Sequence, residues 1–282
     1  QVCDCRLSMA GHYPDAKDMP PLPPGSPAWL GPRLVRYFDT FDRLDLASSI
    51  FTACPGPESD DEYFPHFTMF VHLVWRHLHC FASHADDYGR ATMLKCHIKT
   101  EPGVAPICQR PRPVPMHVQD RVRKELQGML DANIIRPSTS EWSSPIVIVK
   151  KKDGGIRICV DFRAVNDVTW KDSFPLPRID DLLEKLHGAK YFSAMDLQKG
   201  FHQIELDEES TAKTAFAVPW GLYEYTVMPF GICNGPSVFQ RMITLALGDS
   251  LGVDCLGYID DLLAFSTTPE EMLDKLDRIF VK

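Results

Sequence analysis

The spacing of apolar and polar residues divides the chain near residue 87. Beyond it, short apolar runs of strand length alternate with segments of helical period. Val118, Val122, Leu126, Met129 and Leu130 predict a helix over 118–132 that ends at Asn133. Pro145–Val149 and Ile156–Val160 predict two strands closed over Asp153-Gly154-Gly155, a hairpin signal. Arg178–His187 reads as an amphipathic helix stopped by Gly188. Tyr191–Leu197 is a strand-like run carrying Asp196, Gly200–Leu206 alternates like a strand, and Trp220–Tyr225 is a turn and strand. Asn234-Gly235-Pro236 opens a helix to about Leu247. Cys255–Ile259 and Leu262–Phe265 predict a last hairpin with Asp260-Asp261 at its tip.

Residues 1–86 have another texture and are left as an unassigned, irregular or poorly ordered segment. Pro20–Pro27 is proline-rich and reads as an extended linker. Phe64–Phe81 is apolar and aromatic, but Arg76 and four histidines make it too polar for a membrane span. His77, His79, Cys80 and His84 match no closed four-ligand zinc spacing, so the run reads as a partly buried helix with incidental histidines.

An apolar share of 44% in 282 residues suits a globular chain of one large domain or two small ones. The nine cysteines are scattered, odd in number and without a CxxC pair, which fits reduced thiols in an intracellular protein. The net charge of −8 argues against a nucleic-acid partner until its distribution is considered. Residues 95–171 hold 14 Lys and Arg against 8 Asp and Glu, whereas 172–282 hold 9 against 18. A basic stretch suits phosphates. An acidic stretch suits bound cations.

The candidate chemistry lies in the acids. Asp260 and Asp261 sit between apolar flanks, where like charges raise each other's pKa unless a cation intervenes. Asp196, at the end of another strand, supplies a third carboxylate. Oxygen-only ligands favour magnesium or manganese, and three carboxylates could hold two ions for a phosphoryl transfer. The hairpin limbs add Lys150, Lys151, Lys152 and Arg157, a set able to close over a triphosphate.

Four blocks in order, VDFRAVN (160–166), FSAMDLQKGFHQIEL (192–206), MPFGICNGPSVFQRM (228–242) and YIDDLLAFS (258–266), resemble the reverse transcriptase domain of gypsy-type long-terminal-repeat retrotransposons. The resemblance covers about 87–282. It implies an α+β right-hand polymerase, with fingers and a palm whose antiparallel sheet packs on helices. It implies an RNA-directed DNA polymerase in which Asp196, Asp260 and Asp261 are catalytic and hold two Mg2+ ions, Mn2+ being the alternative, with the Leu197 carbonyl as a further ligand. Lys151 (or its neighbours Lys150 and Lys152) and Arg157 would grip the triphosphate. Phe201 would lie beneath the sugar and exclude a 2′-hydroxyl, while Phe230 and Gly231 pack near the nucleotide. Asp161 and Arg163 would lie near the template. Gly235 stands where the family usually has Ala.

The implied partners are an RNA or DNA template with its primer, deoxynucleoside triphosphates, and a second copy or further polymerase domains, with no membrane. The implied location is cytoplasmic, particle-associated, or nuclear. By this resemblance the chain stops in the helix after the catalytic hairpin, before the thumb, and the palm sheet has an open edge. Two rival readings remain: a non-catalytic remnant that binds nucleic acid weakly, and an RNA-templated RNA polymerase, against which Phe201 and the MPFG block count.

Overall fold

The computed structural model describes residues 7–8, 64–82, 87–150 and 155–282. It divides into two units: Gln1–Gly89, Leu176–Gln198 and Ile243–Lys282 form the first, and Arg90–Pro175 with Lys199–Met242 the second.

The first unit is built on a four-stranded antiparallel sheet, β1 (Leu7–Ser8), β6 (Tyr191–Leu197), β11 (Asp261–Ser266) and β10 (Cys255–Tyr258), in that spatial order. The backbone of Leu7–Ser8 pairs with Leu197 and Asp196, at the end of β6 that carries the acid. Helix α7 (Pro269–Phe280) follows β11. Its start is encoded locally: Thr268 Oγ1 accepts from Glu271 N, Glu271 Oε2 accepts from Thr267 N, and Pro269 needs no donor there. Met272, Lys275, Leu276, Ile279 and Phe280 form its buried stripe.

Helix α1 (Phe64–Arg76) packs on α7. His66 Nε2 lies 2.6 Å from Glu270 Oε1, and Phe81 meets Phe280 edge-on at 5.2 Å. Buried Phe70 and Leu73 each contribute about 1.5–3 kcal/mol. The expected helix with histidines is therefore present, ending at Arg76 and followed by a 3₁₀ turn, Leu78–Cys80. No helix among the described residues is long and apolar enough to cross a membrane.

The second unit holds a five-stranded sheet in the order β3 (Ile135–Pro137), β9 (Gly221–Tyr225), β8 (Phe216–Val218), β4 (Ser144–Lys150), β5 (Ile156–Val160). A parallel pair, β2 (Ala91–Cys96) with β7 (Ile204–Leu206), is joined to the segment just after β9, where Leu206 N donates to Thr226 O at 3.0 Å. Helix α2 (Met116–Asp131) buries Val118, Val122 and Leu126, and Asn133 at φ 53° ends it in the left-handed region. Short helix α3 (Arg163–Asp167) follows β5, and α5 (Glu208–Lys213) joins β7 to β8; Asp207 caps α5 by accepting from Ser210 N at 2.8 Å. Helix α6 (Gly235–Leu247) starts where the Asn-Gly-Pro signal predicts, and α4 (Ile179–Lys185), in the first unit, ends before Gly188 at φ 82°.

One predicted strand is corrected. Gly200–Gln203 is a 3₁₀ turn, and only Ile204–Leu206 is strand. Lys199 at φ 44° reverses the chain, and His202 N donates to Lys199 O at 2.8 Å. Phe201 and Gln203 are both buried in this turn, which imitates a two-residue period over a short window.

Candidate active site

The β10–β11 hairpin is tighter than the sequence suggests. Tyr258 pairs with Asp261, so the turn is Ile259-Asp260, and Asp261 is the first residue of β11. The tip is therefore not Asp260-Asp261: the acids are natural turn formers, but an apolar residue takes the first turn position. Ile259 adopts φ 52°, a conformation that costs a β-branched residue on the order of 1–3 kcal/mol.

This turn brings the three predicted acids to one end of the sheet. Asp196 lies directly across the antiparallel ladder from Asp261, and directly opposed residues share a face. Leu197 N donates to the Asp260 carbonyl at 3.2 Å, tying the turn to the end of β6. Burial, then the Asp196 charge, then the Asp261 charge push the Asp260 carboxyl up to about 6. Its Oδ1 is buried without a hydrogen-bond partner among the described residues. Like charges held together with an unsatisfied oxygen form a set that a hard divalent cation neutralises, so these residues fit such an ion.

The other predicted residues all belong to the second unit. Lys151 lies outside the described residues. Arg157 is exposed on β5, paired with Val149 of β4, and Lys150 at the end of β4 is exposed. Phe201 is only 8% exposed and Phe230 is 52% exposed; their rings stack at 4.9 Å and 27°. Phe239 is fully buried, 5.4 Å from Phe201. Gly231 sits at φ 95°, a conformation open to glycine at no steric cost. Asp161 receives a two-pronged bond from Arg163 (Nε 2.8 Å, Nη2 2.7 Å) and a third from Arg112 at 2.6 Å. Those guanidiniums, Arg163 foremost, hold the Asp161 carboxyl well below the usual range despite its burial. Arg163 stays exposed, its guanidinium aimed by Asp161.

Asn166 closes the VDFRAVN stretch and holds a neighbouring loop. Its Nδ2 donates to Gly231 O at 2.8 Å, and its Oδ1 accepts from Cys233 N at 2.9 Å. One amide thus pins both sides of the loop that carries Phe230 and Gly231. The only signal in the sequence is its place in VDFRAVN, because the two partners lie 65 and 67 residues away. Asn166→Ala is expected to lower stability by about 1–3 kcal/mol, since two backbone groups lose their partner. Urea unfolding beside the unchanged chain measures it.

Comparison with known proteins bears on the fold and the family likeness. Residues 149–282 match the family model "Reverse transcriptase (RNA-dependent DNA polymerase)". The retrovirus-related Pol polyprotein from transposon 297 of Drosophila melanogaster is 40% identical over 183 residues, 63% of this chain and 17% of that protein. That from transposon gypsy of the same fly is 37% identical over 180 residues, 62% of this chain and 17% of that protein. The chain thus spans less than a fifth of these relatives. A foamy viral protease-reverse transcriptase in complex with an RNA/DNA hybrid superposes with a TM-score of 0.70 at 24% identity, covering 79% of this chain and 29% of that one. A Prototype Foamy Virus Protease-Reverse Transcriptase mutant gives 0.70 at 21% identity, covering 88% and 31%. At these identities the likeness speaks of fold, and the fold is that of a retroviral reverse transcriptase, as the α+β fingers-and-palm expectation requires.

Proposed function

We propose that this chain, which over residues 149–282 belongs to the reverse transcriptase family, is the catalytic part of an RNA-directed DNA polymerase from a gypsy-type retrotransposon-like element. The observation that carries the reading is the acid cluster: Asp196 across from Asp261, beside a half-buried Asp260 with an unsatisfied oxygen.

In this reading Asp196, Asp260 and Asp261, with the Leu197 carbonyl, hold two Mg2+ ions, or Mn2+ in their place. Such ions, when bound, acidify a primer 3′-hydroxyl and neutralise charge on the triphosphate and the leaving pyrophosphate. The chain's own residues bind and orient. Lys151 and Arg157 take the triphosphate, Arg157 with a planar fork suited to two phosphate oxygens. Phe201 rejects a 2′-hydroxyl, and Phe230 with Gly231 lines the nucleotide. Arg163, aimed by Asp161, meets the template backbone. The foamy viral relative's complex with an RNA/DNA hybrid supports a template–primer partner for this chain as well. Deoxynucleoside triphosphates are the proposed substrates, and a second copy or further polymerase domains would supply a thumb.

Primer extension tests the reading. The purified chain receives an RNA template, a DNA primer, deoxynucleotides and magnesium. Extension that disappears in Asp260→Ala is the expected result. A folded chain that extends nothing would instead be a non-catalytic remnant.

A further inference from the structure

The residues just after α1 hold a second group of metal-ligating side chains. His77 follows the last residue of α1 and leads into the 3₁₀ turn Leu78–Cys80, with Cys80 N donating to His77 O at 2.9 Å. A turn of three residues brings positions i and i+3 to one side. Donor atoms of His77, His79 and Cys80 consequently lie within 4.8 Å of one another.

His77 is the decisive member. Its side chain is 7% exposed, and its Nε2 lies 2.7 Å from Asp277 Oδ1 of α7. A carboxylate oxygen accepts, so the tautomer that this contact favours carries its proton on Nε2 and leaves the Nδ1 lone pair open. Nδ1 is buried and has no hydrogen-bond partner among the described residues. A histidine fixed by a carboxylate on one nitrogen and offering the other is the arrangement that orients a metal ligand. Cys80 lies at the same end of α7, its Sγ donating to Phe280 O at 3.1 Å.

We propose that His77 Nδ1, His79 and Cys80 Sγ bind one zinc ion. Two imidazoles and a thiolate suit a borderline-soft ion and not magnesium. Binding forms two Zn–N bonds and one Zn–S bond and releases the Cys80 proton to solvent; exposed His79 leaves the fourth position to water. The ion ties the 77–80 turn to α7 through Asp277. This site is separate from the acid cluster and stands or falls without the polymerase reading. His84, which the sequence places nearby, lies outside the described residues.

The test uses the full chain loaded with Co2+, a spectroscopic stand-in for zinc, and then with zinc itself. One cobalt per chain should give a thiolate-to-cobalt charge-transfer band, which carboxylate sites cannot produce. The band should vanish in Cys80→Ser and in His79→Ala. His79 is exposed, so its variant keeps the fold, which circular dichroism verifies. Zinc should raise the melting temperature of the unchanged chain and not of these two variants. Asp277→Asn, by releasing the His77 tautomer, should weaken zinc binding about 10- to 100-fold. A missing band, or one that persists in Cys80→Ser or His79→Ala, overturns the proposal.

Discussion

Asp260→Asn is expected to abolish primer extension while making the metal-free chain more stable. Both effects follow from one carboxyl. Burial and two neighbouring acids raise it from 3.8 to about 6. The folded chain thus holds a proton that the unfolded chain has lost over that interval, and stability falls as pH rises through it. At neutral pH the charged Asp260 opposes folding, by on the order of 1 kcal/mol once solvent screening of a half-exposed group is allowed for. Asparagine keeps the shape and removes the charge. In urea at pH 7, without magnesium, the variant should unfold at higher denaturant; at pH 4 the difference should shrink. Extension should drop by on the order of 10²–10³-fold or more, the scale for losing one well-placed electrostatic group. Magnesium should stabilise the unchanged chain and do little for the variant. A variant no more stable than the original without metal would mean that the acids are not strained against one another, and the central support for the polymerase reading would fall.

How much of this was legible in the sequence depended on the range of the forces involved. Helix α2 and its stop at Asn133, the Asn-Gly-Pro start of α6 and the strand carrying Asp196 all follow from local period and capping, and the structure agrees. The adjacent acids alone read equally well as an ordinary Asp-Asp turn; Asp196 as a third carboxylate and the four ordered blocks drew attention to them. The Gly200–Gln203 turn was misread because Lys199 adopts a left-handed conformation that no local rule assigns to lysine. The position of Ile259 in the hairpin turn was hidden for the same reason. Asn166 was invisible because its amide acts on a loop far along the chain. The zinc-ligating group was passed over because the sequence showed only spacing. Asp277, which fixes the His77 tautomer, lies 200 residues away, on a helix whose packing against α1 no local pattern records.

On the polymerase reading, Phe201→Ala should make the chain accept ribonucleotides, and it should also cost stability. The proposed gate is a core residue as well. Its ring is 8% exposed, stacks on Phe230 at 4.9 Å and lies 5.4 Å from Phe239. A Cβ at Gly235 would stand 3.3 Å from its Cε2, so the ring is held from the α6 side too. Removing the ring leaves a cavity and costs about 3–5 kcal/mol. It also takes away the surface on which Phe230 rests. Activity alone would therefore mislead, because a partly unfolded variant is slower with every substrate. The ratio of kcat/KM for a deoxynucleotide to that for its ribonucleotide, measured on one preparation, is free of this: the folded fraction cancels. That ratio should fall about 10²-fold, the scale on which a packed wall rejects one extra small group. Phe201→Tyr keeps the ring and should keep the ratio. If the ratio in Phe201→Ala stays that of the original chain, Phe201 is packing alone and selection against the 2′-hydroxyl must come from another residue.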